Sequence, residues 1–199
     1  MIWIDGVGGY LVCTDVRNAI GQCDSRPPVP IAINGDLDQE HAVIERVAGG
    51  HLLHPVGVVV VDGQPLIEPM PLRVDQTFQL GSSIVLRYVR RHPWSSTAMI
   101  EFASRHRTDP WSDAVLLSGD SIVLGPQRAN HVCCRHWKQD VILVRQAGGW
   151  HCRSNATFAI DGAKPVTSGR LSAWSRVQGD EFSFTLEPIQ TMAGKAGPA

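Results

Sequence analysis

The sequence predicts an all-β protein made of two β-sandwiches in series. Three observations predict it. Apolar runs of about four to seven residues, rich in Val and Ile, are divided by Gly, Pro, Asn and Asp, the punctuation of short strands. Helical periodicity is nearly absent. A set of landmarks also occurs twice. Gly50 and Gly149 stand 99 residues apart, as do Gly63 and Gly162, while Leu86 and Leu186 stand 100 apart. Gly21 and Gly125 are 104 apart and His41 and His131 are 90 apart, a scatter that a loop of variable length between glycine and histidine would produce. So long a period signals tandem domains rather than a solenoid.

In the first half, strands are expected at 1–5, 10–14, 19–22, 31–33, 42–47, 51–54, 58–61 and 84–88. Each is a short run of β-branched or apolar residues between turn formers. The second half offers 97–102, 114–117, 121–124, 131–135, 141–145, 150–153, 157–160 and 181–187. Asp62-Gly63 and Asp161-Gly162 suit tight turns, because glycine reaches positive φ without a side-chain clash. The division is expected near Arg90-Arg91-His92-Pro93, where proline cannot donate to a ladder. This gives a sandwich over 1–92, a divergent sandwich over 93–190 and a disordered tail over 191–199.

Composition narrows the function. The 199 residues are 43% hydrophobic and 19% charged, enough for packed cores. A net charge of −1 gives no global footprint for nucleic acid. Asp5 and nearby glycines interrupt the apolar start, so no signal peptide is expected. The run from Val56 to Val61 is far shorter than the roughly 20 residues of a spanning helix. Five cysteines without regular spacing suit a reducing cytoplasm better than a disulfide framework.

Ala19-Ile20-Gly21-Gln22, then Gly35-Asp36-Leu37-Asp38-Gln39-Glu40-His41-Ala42, then Gly57 through Asp62-Gly63 follow a recognisable order. In that order the first half resembles a forkhead-associated (FHA) domain over roughly residues 1–90. The second half is a weaker echo over about 94–190, carried by Leu124-Gly125-Pro126, His131, Asn155 and Asp161-Gly162. The resemblance implies a β-sandwich whose apical loops hold a phosphothreonine peptide. It also implies structural roles for His41 and His131. Gly21, Gly63, Gly125 and Gly162 read as backbone necessities.

The departures from the family pattern bear on phosphate. Its arginine is Gln22 here, its serine is Asp38, and the next arginine is Gln39. A carboxylate then points where a dianion would sit, which opposes binding. In the second half the motif arginine is Pro126. Arg128 stands three residues before His131, and Asn155 keeps the position of the peptide-holding asparagine. Arg128 and Asn155 are therefore the leading candidates for an anionic contact, with Gln22, Asp38 and Gln39 as the corresponding first-half positions. The structural alternative makes Arg128 a solvated loop residue and Asn155 a turn former.

Other chemistry fits less well. His131-Val132-Cys133-Cys134-Arg135-His136, with His151-Cys152, contains cysteine and histidine, but on a strand His131 and Cys133 face opposite to Cys134 and His136. Gly119-Asp120-Ser121 lacks the strand–turn–helix context of a nucleophile elbow. A hydrolase using Ser121 and a zinc enzyme using the Cys/His group remain as lesser alternatives. Most tryptophans of the second half suit the core, and Trp137, in a polar segment, is expected as an exposed anchor. The sequence thus points to a non-catalytic signalling adaptor without metal or cofactor, located in the cytoplasm. Its partner would be a protein or peptide, with or without phosphate, and neither nucleic acid nor membrane.

Overall fold

A computed structural model describes residues 1–146 and 149–189; the 191–199 tail lies outside them. The described residues are all-β, with no helix. In chain order the first strands are β1 (Ile2–Ile4), β2 (Gly8–Cys13), β3 (Arg17–Gln22), β4 (Ile31–Ile33), β5 (Ala42–Val47), β6 (Gly50–Pro55) and β7 (Val59–Val61). Next come β8 (Gln64–Pro65), β9 (Met70–Pro71), β10 (Thr77–Leu80), β11 (Ile84–Val89), β12 (Ala98–Phe102) and β13 (Ala114–Leu117). The last are β14 (Ser121–Gly125), β15 (Val132–Cys133), β16 (Val141–Gln146), β17 (Gly149–Ile160), β18 (Val166–Leu171), β19 (Arg176–Gly179) and β20 (Ser183–Leu186).

The strands form two sheets. One has five strands in the order β4-β3-β5-β6-β9. The other has fifteen, running β15-β14-β16-β17-β19-β20-β1-β2-β13-β12-β11-β10-β7-β8, with β18 branching from β17. The expected strands at 150–153 and 157–160 are one continuous strand, β17. The strand expected over 131–135 is only Val132–Cys133. β8, β9, β10, β18 and β19 carried no expectation, being two residues long with proline, or largely polar.

One pairing pattern occurs twice. β10 lies between β7 and β11 as β19 lies between the end of β17 and β20, with Val61 opposite Phe78 and Ile160 opposite Val177. β3 pairs antiparallel with β5 and parallel with β4; β14 does the same with β16 and β15. Both expected turns have paired left-handed residues, Asp62 and Gly63 at φ 51° and 77°, Asp161 and Gly162 at 52° and 75°. The Arg73 N–H donates to Gln76 Oε1 and the Ser172 N–H to Ser175 Oγ, both at 3.0 Å, again 99 residues apart. In the last strand the offset changes. Tyr88 N–H donates to Gln76 O and Leu186 N–H to Ser175 O, so Leu186 matches Tyr88 rather than Leu86.

Each pattern continues into a further hairpin, and the two hairpins lie side by side. β11, which ends the first pattern, pairs with β12 and then β13, the hairpin that opens the second unit. β20, which ends the second pattern, pairs with β1, whose partner is β2, the hairpin that opens the chain. The two hairpins meet through a parallel pairing of β2 with β13. Because neighbours along a strand face opposite sides, one sheet then serves two cores. Leu11, Cys13, Ala98, Ile100, Val115 and Leu117 enter the first. Ile2, Ile4, Met99, Ala114 and Leu116 enter the second. The cores therefore do not divide at residue 92: strands beyond it complete the first, and the chain's first strand completes the second.

Candidate functional site

At one end of the first unit, β3 leads into a loop over 23–30, and β4 into a second over 34–41. Gly21 is buried, and a Cβ there would lie 2.0 Å from Gln39 O, so close approach of the backbone requires glycine. The Gln22 N–H donates to Asp38 O at 3.0 Å. Ser25 Oγ lies 2.5 Å from Gln22 O and 2.7 Å from Gln39 O, so its one proton serves both carbonyls. These bonds bring Gln22, Asp38 and Gln39 together while leaving their side chains exposed.

His41 ties these loops to the sandwich. It is 3% exposed. Its Nδ1 lies 3.2 Å from the Asp38 N–H and 3.0 Å from Asp38 Oδ2. Its Nε2 lies 2.9 Å from Val58 O and 3.1 Å from the Gly81 N–H. The ring thus joins three chain segments. Around it, Asp24, Asp36, Asp38 and Glu40 are exposed, with Arg26 as the cation of the two loops. The basic segment Arg105-His106-Arg107 lies against the 34–41 loop, where the Asn34 N–H donates to Arg107 O at 3.4 Å.

The second unit has the opposite surface. Gly125 is buried, and a Cβ there would meet Asp140 Oδ1 at 2.1 Å and Asn130 Nδ2 at 2.4 Å. Asn130 Nδ2 donates to Asp140 Oδ1 at 2.7 Å, and Ser154 Oγ to Asp140 O at 3.0 Å. These bonds gather the loop after β14, the start of β16 and the middle of β17 at one end. Arg128 is exposed on that loop and Asn155 on β17. Arg135, His136 and Lys138 are exposed in the following loop. Lys138 pairs with Glu181, whereas among the described residues neither Arg128 nor Arg135 pairs with a carboxylate.

Two expectations require correction. His131 is not the counterpart of His41. It precedes β15, the equivalent of β4, whereas His41 precedes β5; the residue before β16 is Asp140, 99 positions on. Similar residues in the same order suggested an equivalence that strand order does not support. Trp137 is not an exposed anchor. It is 5% exposed and packs on Phe182 with ring centroids 5.4 Å apart. Trp94, at 90% exposure, projects instead from the loop between β11 and β12.

His131 makes two hydrogen bonds. Val123 N–H donates to its Nδ1 at 2.8 Å, which leaves the proton of the neutral ring on Nε2, 2.7 Å from Ser95 Oγ. In that tautomer the ring cannot take the Ser95 proton. Burial first, and His92 second, lower its pKa to about 4. Ser121 opens β14, and its carbonyl accepts Thr97 Oγ1 at 2.6 Å. Cys134 and Cys152 are buried, and burial pushes both thiols up to about 12. Among the described residues no three His, Cys, Asp or Glu side chains converge as metal ligands would. Among the described residues no helix is long and apolar enough to cross a membrane.

Fold and surface together define an all-β protein with two sheets, two cores and two chemically opposite loop clusters. No family model, no curated protein and no solved structure matches the chain.

Proposed function

We propose that this chain is a non-catalytic protein–protein interaction module of a cytoplasmic signalling assembly, resembling a degenerate pair of FHA domains. Recognition by loops on a rigid scaffold makes and breaks no bond. The carrying observation is the construction of the first loop cluster. His41 and Ser25 fix its backbone, and the side chains at the motif positions, Gln22, Asp38 and Gln39, face solvent without a cation among them, while the loops expose Asp24, Asp36 and Glu40 against Arg26. A pre-ordered surface loses little entropy on binding. Its charge favours a partner segment without phosphate. Affinity capture from the native cell, with and without phosphatase treatment, tests this reading. A protein partner retained after phosphatase supports it; partners recovered only when phosphorylated overturn it.

A second reading places phosphothreonine-peptide recognition on the second unit. It is favoured by exposed Arg128, Arg135 and Asn155 on neighbouring segments of one sheet end, since arginine forks suit phosphate oxygens. Micromolar, phosphate-dependent peptide binding lost in Arg128→Ala would establish it in place of the first.

A further inference from the structure

A cleft forms where the loop joining β12 to β13 packs against segments from the start of the chain. The loop joining β12 to β13 belongs to the second unit's hairpin, yet it lies along β4 of the first. Thr108 bridges to Ile33, and the Asp109 N–H donates to Ala32 O at 2.9 Å. Thr108 Oγ1 lies 2.7 Å from Pro110 O and 2.6 Å from Ser112 Oγ, which fixes the loop. Between this loop, β2 and the 23–30 loop lies a cleft of about 810 Å³, within the usual range for ligand sites.

Its lining includes the apolar Leu11, Val12, Val29 and Pro110 together with polar residues. Asp15, Asp24 and Asp109 line it against a single cation, Arg26. Among the described residues none of these four takes part in an ion pair. Asn18 also lines the cleft and is 2% exposed. Its Nδ2 donates to Asp15 O at 3.0 Å, which orients the amide and leaves Oδ1 buried without a donor. A buried acceptor left unpaired is unfavourable and calls for a hydrogen-bond donor. The surrounding carboxylates select a donor that carries positive charge.

We propose that this cleft binds the cationic side chain, lysine or arginine, of a peptide partner. The apolar walls would cover the methylene stem while the charged head meets Asn18 and the carboxylates. The peptide rests on the interaction-module reading; the cation preference does not, and it is tested without any natural partner.

The probes are Nα-acetyl-arginine amide and Nα-acetyl-lysine amide, titrated into the full chain labelled with ¹⁵N, with Nα-acetyl-glutamine amide as the neutral control. Saturable shifts are expected at the Asn18 side-chain amide and the Asp109 backbone, for the cationic probes alone. The double variant Asp24→Asn, Asp109→Asn is expected to bind about fivefold more weakly, the scale of losing exposed charge partners. Both sites are exposed, so its melting temperature should match the parent. No saturable shift, equal shifts from the neutral probe, or shifts confined to other surfaces would each overturn the proposal. Loss of affinity capture with cation binding intact would remove the interaction-module reading alone.

Discussion

Leu11 and Val115 lie side by side on parallel strands, one from each unit's opening hairpin, and both point into the first core. Their neighbours Ala114 and Leu116 point into the second core. The two cores are therefore separated by one layer of backbone, and a change on β13 is felt on both sides of it.

Leu116→Ala should destabilise the protein by about 2–5 kcal/mol, since Leu116 is fully buried and little can move in to fill the space. The loss should be cooperative. Denaturation followed at Trp137, in the second core, should coincide with hydrogen exchange at β5, over the first. Two separated transitions would show that the shared sheet does not couple the cores.

Cys13 is the parallel-register partner of Leu117, on the same face of the sheet. In Leu117→Cys, mild oxidation should link residues 13 and 117 within one chain, read as a cross-linked peptide by mass spectrometry. Hairpins retained by their own units would hold these positions on different sandwiches and give no intramolecular link.

His51 is 2% exposed, with Nδ1 2.9 Å from the Tyr88 hydroxyl. Burial first, then the Arg46 and Arg90 charges, lower its pKa to about 4, the same value as His131. Both rings bind fewer protons folded than unfolded, so their stabilising effect is present above about pH 6.5 and is lost as pH falls toward 4. Urea midpoints should drop by the equivalent of a few kcal/mol across that window. His51→Gln, which retains a polar partner for Tyr88, should flatten part of the slope. A flat profile between pH 6.5 and 4 would refute it.

The glycines separate into two kinds. Gly63 and Gly162 need positive φ but have open space around a Cβ, so alanine there should cost about 1 kcal/mol through backbone conformation alone. Gly21→Ala sets a methyl against the Gln39 carbonyl, a backbone atom, and should cost more than Gly63→Ala. Equal melting temperatures for the two variants would mean that the 34–41 loop moves aside freely.

Much of this architecture could be read locally. Ile31–Ile33, Ala42–Val47 and Ala114–Leu117 have the expected bounds, because runs of β-branched and aliphatic residues between turn formers suffice to specify a strand. The Asp-Gly turns followed from the conformational freedom of glycine. Gln64–Pro65 and Met70–Pro71 gave no such signal, since two residues cannot display a period. The loop positions of Arg128, Asp38 and Gln39 were also legible, from the glycines and polar runs around them. The cation cleft was not, since Asp109 is 85 residues from Asp24 in the chain.

The sequence by itself determined an all-β chain and its short-range turns, because alternation, β-branching and glycine's φ range act within a few residues. Tertiary structure decided which hairpin completes which sandwich, that one sheet serves two cores, that Trp137 is buried, and that His131 is no counterpart of His41. Those outcomes depend on pairing between strands as much as about 180 residues apart, where either hairpin presents similar apolar alternation and only the register of the assembled sheet distinguishes them.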